Sequence, residues 1–299
     1  MLADRISKII SAGFKIPPPP TIAARIAGSA EIAFSHFKSA APKPGLSTPS
    51  PWEEAFVFNI PLNPAKYSVV SIDGRSQSVV QSPGKSYVFD LTSRNEVSLD
   101  ASYDSVRIHL PQTALDNMAY DKGLRRIGGL EKRPLGLEDP ILYRLAMIIQ
   151  PAIINTAQVT TAFAEYIALA FHDHVIHTYG GVTRRSQVTG GLAPWRIRRV
   201  CDYIEANLVT DISIELLSRD CGLSASHFAR AFHVSLGLAP HQWITKRRIA
   251  RAKSLMSQSP DSLAEIALMC GFVDQSHFSR LFLREAGATP AQWRRARRG

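Results

Sequence analysis

Cys221-Gly222-Leu223-Ser224-Ala225-Ser226-His227-Phe228-Ala229-Arg230-Ala231-Phe232 is answered further along the chain by Cys270-Gly271-Phe272-Val273-Asp274-Gln275-Ser276-His277-Phe278-Ser279-Arg280-Leu281-Phe282. The echo continues past both, as Gly237…Pro240-His241-Gln242-Trp243 and Gly287…Pro290-Ala291-Gln292-Trp293. Self-similarity sustained this long marks an internal duplication, and two copies are too few for a solenoid. Each copy reads as a helix, a tight turn with Gly, and a second helix, the helix-turn-helix pattern. In each second helix two Phe four apart share a stripe that must face a core, Phe228 with Phe232 and Phe278 with Phe282.

That assignment leaves Ser226, Ala229, Arg230 and His233 outward in the first copy, and Gln275, Ser276, Ser279 and Arg280 in the second. Small polar side chains around one Arg suit a major groove. They let the backbone approach while the guanidinium takes guanine O6 and N7 together. The candidate base contacts are therefore Ser226, Ala229, Arg230, Gln275, Ser276, Ser279 and Arg280.

Working outward, residues from 193 onward predict seven helices. Pro194, Pro240 and Pro290 open the first, fourth and seventh, Ser213, Ser224 and Asp274 cap three others, and Ser262-Leu263-Ala264-Glu265 is a capping box. A helix over 240–256 would be about 25 Å long at about 1.5 Å per residue. A rod of that length can hold two reading helices about 34 Å apart, one turn of B-DNA. Candidate phosphate contacts are Ser224, His233, Lys246, Arg247, Arg248, Arg251, Arg284 and Arg294, with Lys253, Arg295, Arg297 and Arg298 as further basic positions. The alternative for each is a solvated basic face.

Charge follows the same division. The formal net charge is +10; from Leu192 onward 16 Lys and Arg face 9 Asp and Glu, against 19 and 16 before it. A basic module on a near-neutral one points to a polyanion partner for the C-terminal third. Cys201, Cys221 and Cys270 lack C-x-x-C spacing, so they read as core thiols, with neither a zinc site nor a disulfide framework expected. No apolar run approaches the roughly eighteen residues of a membrane span, and the start has no signal-peptide pattern, so the expected compartment is the cytoplasm.

Before the duplication the signal changes. Residues 2–12 have helix spacing and Pro17 to Pro20 form a stiff spacer. Short strands then run between 24 and 110, with Tyr67–Ile72 and Gln77–Val80 joined by Asp73-Gly74 as a hairpin. Two helical segments are expected over 140–150 and 152–179, with Pro151 marking a break or kink between them and His172, His174 and His177 at a solvated helix end. Four glycines over 180–191 read as a linker. The fold class is thus α+β. An antiparallel β barrel or sandwich with a helical hairpin occupies 1–180 (β-rich 24–110, helical 111–180). A linker, 181–192, leads to an all-α module, 193–299, of two helix-turn-helix units joined by a long helix.

Residues 193–297 resemble the double helix-turn-helix domain of the AraC/XylS family of bacterial transcription regulators. The second half carries the likeness as Ile266-Ala267…Cys270-Gly271-Phe272…Ser276-His277-Phe278-Ser279-Arg280-Leu281-Phe282…Gly287…Pro290…Trp293-Arg294. The first carries it as Leu223-Ser224…His227-Phe228…Arg230…Phe232…Gly237-Leu238…Pro240, then Arg248-Ile249…Ala252…Leu255-Met256. The resemblance implies that residues 224–234 and 275–284 read DNA. Where the family often has a larger side chain this chain has Ser226 and Ala229, so readout by the first unit would rest mostly on Arg230.

Ser82-Pro83-Gly84…Val88-Phe89-Asp90 and Val106-Arg107-Ile108-His109-Leu110-Pro111, followed by a helix, resemble the cupin-like domain of the same family. That likeness implies a domain that binds a small-molecule effector or dimerises; the effector-binding residues are not legible. Double-stranded DNA, an effector, a second copy in a homodimer, and RNA polymerase if the protein is an activator are the expected partners, with no cofactor, metal or membrane. Two alternatives stay open: a DNA-binding adaptor whose N-terminal domain only dimerises, and a metal-dependent cupin enzyme. The second lacks His-x-His, since His36 and His109 stand alone on strands.

Overall fold

In the computed structural model, residues 2–27, 30–42, 44–63, 66–99, 102–121, 127–180 and 190–298 are described. The expected linker lies outside them over 181–189. The chain divides into two compact units, Met1–Leu115 with Ile127–Val182, and Asp116–Arg126 with Thr183–Gly299. The first holds α1 (Leu2–Phe14), β1 (Thr21–Ala27), β2 (Ala30–Ser39), β3 (Ala55–Pro61), β4 (Lys66–Ile72), β5 (Arg75–Gln81), β6 (Lys85–Asp90), β7 (Asn95–Val97) and β8 (Tyr103–Pro111). α2 (Gln112–Asp121), the two-residue β9 (Leu137–Glu138), α3 (Pro140–Ile154) and α4 (Thr161–Tyr179) follow.

Ile72 pairs with Arg75 across Asp73 and Gly74, whose φ angles of 49° and 80° are those a two-residue hairpin turn needs. All strand pairs are antiparallel, in a six-stranded sheet ordered β1-β2-β8-β3-β6-β9 and a three-stranded one ordered β5-β4-β7. The larger sheet is covered on both faces, which is why every residue of β3 is buried. One face presents Phe34 and Phe58 to Phe171 of α4, with ring centroids 6.3 and 5.2 Å apart. On the other, Ala55, Val57 and Phe89 pack with Val70 of the smaller sheet, while Ala33, Phe37 and Tyr103 pack with Ile6 and Ile10 of α1. Each such buried Phe contributes about 1.5–3 kcal/mol.

Two expectations need correction here. α3 runs through Pro151 to Ile154, and the interruption falls at a 3-10 turn, Thr156–Gln158. The carbonyl that Pro151 leaves without its donor belongs to Met147, which is 46% exposed and open to water, while Ala152 and Ile153 are buried and anchor the last turn. The three histidines are not a solvated end either. His172 is fully buried, and His174 Nε2 lies 2.8 Å from Asp139, whose Oδ2 also accepts the Tyr179 hydroxyl at 2.7 Å. Only His177 is exposed.

The second unit contains the seven expected helices: α5 (Pro194–Ala206), α6 (Ile214–Asp220), α7 (Ala225–Leu236), α8 (Pro240–Gln258), α9 (Leu263–Met269), α10 (Gln275–Ala286) and α11 (Pro290–Arg298). Ser213, Ser224 and Asp274 accept N–H groups of the first turns of α6, α7 and α10, and Ser262 with Glu265 closes the reciprocal cap of α9. The duplication repeats in the cores. Phe228, Phe232 and Trp243 meet at tilted and edge-to-face angles with centroids 5.6 and 6.4 Å apart in one; Phe278, Phe282 and Trp293 meet edge to face at 5.5 and 6.0 Å in the other. α8 joins them: Trp243 and Ile244 belong to the first cluster, Ile249, Ala252 and Met256 to the second. Cys201, Cys221 and Cys270 are all buried, and burial raises each thiol, Cys270 to about 11.

Candidate nucleic-acid interface

α7 and α10 are each 12 residues long, and both bury the Phe-Phe stripe. A helix locked by one face offers the opposite one. There Ser226 and Arg230 are exposed on α7, as are Gln275, Ser276 and Arg280 on α10, with Ala229 and Ser279 half-buried beside them. No carboxylate among the described residues pairs with Arg230 or Arg280. Asp274 Oδ1 takes the His277 N–H at 2.7 Å, so the cap carboxylate at the start of α10 is already engaged.

The basic positions divide. His233, Lys246, Arg251 and Arg284 are exposed, Arg284 with Glu285 3.5 Å away, and Arg294 is half-buried. Ser224 is exposed at the cap of α7, its hydroxyl 3.4 Å from that of Ser226. Arg247 and Arg248 are differently placed from what their sequence neighbourhood suggests. Arg247 Nε donates to Glu205, and its side chain is 14% exposed. Arg248 donates through Nε to the Leu208 carbonyl at 2.8 Å and through a terminal nitrogen to the Thr210 carbonyl at 2.7 Å. Arg247 thus ties α8 to α5 and Arg248 braces the segment between α5 and α6, and a donor already spent on a carboxylate or a carbonyl is not offered to a phosphate.

A further contact joins the two copies. Gly271, in the turn between α9 and α10, has φ +79°, and a Cβ placed there would stand 2.3 Å from the Leu208 carbonyl oxygen. That carbonyl is the one Arg248 holds, so the turn of the second copy rests on the backbone of the first. Sequence reasoning passed over Val273, 80% exposed just before α10, an apolar side chain of the kind that meets a thymine methyl. Its β-branched character beside the Asp274 cap was the available signal.

Residues 217–296 match a family model described as a helix-turn-helix domain. The transcriptional activator Btr of Bacillus subtilis is 38% identical over 79 residues, 26% of this chain and 15% of that protein. The probable transcriptional regulator LumQ of Photobacterium leiognathi is 36% identical over 75 residues, 25% of this chain and 30% of that protein. Among solved structures, a probable AraC family transcriptional regulator from Rhodopseudomonas palustris is similar at 32% identity and a TM-score of 0.32, over 35% of this chain and 98% of that one. The chain spans between 10% and 30% of the length of the curated relatives it matches.

Proposed function

Because residues 217–296 form a helix-turn-helix domain of the AraC type, we propose that the chain is a sequence-specific DNA-binding transcription regulator. It reads two successive major-groove segments of one duplex through α7 and α10, under control of a small molecule bound by residues 1–180. Residues 181–192 link that domain to the DNA-binding one, 193–299. The observation that carries the reading is the matched pair Arg230 and Arg280. Both are exposed and unpaired with carboxylate among the described residues, at equivalent positions on helices whose other faces are held by equivalent Phe-Phe-Trp clusters.

In this reading Arg230 and Arg280 take guanine edges. Ser226, Gln275, Ser276 and Ser279 supply further base contacts, and Ala229 lets the helix approach. Lys246, Arg251, Arg284, His233, Arg294 and Ser224 meet phosphates, where the charge is diffuse and sequence-blind. Arg247 and Arg248 leave that set, since their donors serve Glu205 and the Leu208 and Thr210 carbonyls. Selection of bound duplexes from a random pool, followed by footprinting, tests it. Two protected major-groove segments about one helical turn apart are expected; a sequence-blind footprint would refute it.

The regulator works in the cytoplasm as a homodimer, contacts RNA polymerase if it activates, and carries no catalytic step or cofactor. No described helix is long and apolar enough to cross a membrane. Dimerisation is supported by α3, where Ile141, Met147, Ile148 and Ile154 are 53%, 46%, 49% and 56% exposed. Ile141→Glu with Ile148→Glu should give monomers in sedimentation.

A further inference from the structure

A sheet that ends on an open strand leaves main-chain N–H and C=O groups aimed at water, and folded proteins blunt or cover such edges. Among the described residues, edge strand β1 carries Arg25 and a register shift between Arg25 and Ala27, β9 has two residues and β7 has three. β5, at the end of the order β5-β4-β7, has none of these protections. It runs seven residues, Arg75–Gln81, in unbroken register with β4. It contains no proline, its one charge is Arg75 beside the turn, and Ser76, Gln77, Ser78 and Val80 are exposed.

The hairpin turn fixes which main-chain groups point outward. Ile72 and Arg75 flank the two-residue turn and therefore exchange hydrogen bonds. Bonded and non-bonded pairs alternate along an antiparallel ladder, so Arg75, Gln77, Val79 and Gln81 turn their main chain to β4. Ser76, Ser78 and Val80 turn theirs away. The Val80 carbonyl agrees: it accepts the buried Tyr87 hydroxyl of β6, a group outside the β4–β5 ladder. Among the described residues no second strand pairs with β5 along Ser76 and Ser78.

Three outward residues at every second position, with Ser78 in the middle, make an edge that matches itself. Laid antiparallel on a second copy, Ser78 of one chain meets Ser78 of the other, and Ser76 of each meets Val80 of the other. Every outward residue then faces an outward residue. Bonds to the Val80 carbonyl are shared with Tyr87, and the others are unencumbered. Arg75 comes opposite Gln81, so no like charges meet. Tyr67 and Val80, paired across β4 and β5 and 78% and 40% exposed, carry an apolar row up to the junction.

We infer that β5 pairs antiparallel with β5 of a second copy, joining two three-stranded sheets into one across a two-fold axis at Ser78. This interface is separate from the surface of α3. Main-chain bonds exchanged for bonds to water contribute little each, so the junction is weak, with a Kd of about 0.1–1 mM. α3 governs the state of dilute samples, and β5 joins chains that are already concentrated together.

Disulfide trapping in the full chain is the test. Cys201, Cys221 and Cys270 are buried, so an introduced surface thiol reports alone. A bonded antiparallel pair sets its Cα atoms about 5.5 Å apart, inside the range a disulfide spans. Ser78→Cys should therefore give a covalent dimer on oxidation with diamide. Ser76→Cys alone should give about tenfold less, because the axis holds its two equivalents about 13 Å apart at about 3.4 Å per residue. Mixed with Val80→Cys, it should give the heterodimer. Ser76→Pro in the Ser78→Cys chain removes an outward N–H, spares the β4 ladder, and should cut trapping severalfold with unchanged circular dichroism. Equal trapping by Ser76→Cys and Ser78→Cys, no trapping by Ser78→Cys, or trapping indifferent to a folded Ser76→Pro would overturn the pairing. The comparison of Ser76→Cys with Ser78→Cys decides by itself if the proline variant does not fold.

Discussion

Gly222 and Gly271 occupy the same position in the two copies, yet an alanine should be tolerated at one and not at the other. Both have positive φ, +64° and +79°. For an L-residue that conformation costs about 1–2 kcal/mol, whichever copy it is in. Around Gly222 a new Cβ meets nothing within 4 Å. At Gly271 it stands 2.3 Å from the Leu208 carbonyl oxygen and 3.0 Å from Val209 Cα and its oxygen, all main-chain atoms that cannot swing aside. Overpacking of that kind adds about 1–3 kcal/mol. Gly271→Ala should therefore destabilise by about 2–5 kcal/mol and Gly222→Ala by about 1–2 kcal/mol. For a domain of this size each kcal/mol is worth about 4–8 °C in Tm. Thermal and urea denaturation of the full chain, followed by tryptophan fluorescence, read the difference, since Trp243 and Trp293 each sit against a Phe of their own cluster. Because the clash falls between the two copies, Gly271→Ala should also weaken binding to a duplex carrying both half-sites more than to one carrying either alone. Equal destabilisation by the two alanines, or none at Gly271, would refute the claim that this turn seats one copy on the other.

Arg230→Ala and Arg280→Ala should each cost about 1–3 kcal/mol on the selected duplex and relax preference at one position, read by competition with single-base variants. Lys246→Ala and Arg251→Ala should weaken all duplexes alike and reduce the slope of log affinity against log salt by about one each. Arg248→Ala should leave that slope unchanged and instead lower stability by about 1.5–3 kcal/mol, the worth of charge-assisted bonds, seen as a lower urea midpoint. Glu53 has a folded pKa of about 2 against 4.5. Its contribution, up to about 3 kcal/mol, is complete above pH 4.5 and is lost as pH falls toward 2; Glu53→Gln should flatten acid unfolding in that window.

What could be seen in advance was whatever local spacing encodes. A Phe four residues from a Phe, a Ser three residues before the amide it caps, and Asp73-Gly74 between two alternating runs each state their own geometry within one turn of chain. The roles of Arg247 and Arg248 could not be seen that way. Their partners, Glu205, Leu208 and Thr210, lie 42, 40 and 38 residues earlier, and two of the three bonds go to backbone carbonyls, which carry no mark in a sequence. The row of residues across the larger sheet was hidden for the same reason. Ser35, Val57 and His109 come together only because β8 lies between β2 and β3, an order that strand-forming propensity does not specify. Pro151 allows either a break or a kink by local rule, and the helix continues to Ile154 because the carbonyl left without a donor is open to water.

The two copies agree where they pack and diverge where they face outward, and the divergence predicts the form of the operator. Phe228, Phe232 and Trp243 have identical counterparts in Phe278, Phe282 and Trp293. On the open faces Arg230 is matched by Arg280 and Ser226 by Ser276, but Ala225 stands where the second copy has Gln275, and Val234 where it has Arg284. A shared Arg reads a guanine in each groove segment, whereas the Gln275 amide can pair with adenine N6 and N7 and alanine offers no equivalent. The selected duplex should therefore carry two guanines about one turn apart, with an adenine specified beside only one of them. Gln275→Ala should erase that adenine preference, at about 1–3 kcal/mol, and leave both guanines in place. A perfect direct repeat in the selected sequences, or a loss at both segments on Gln275→Ala, would mean that the faces assigned to α7 and α10 are not the ones that meet the bases.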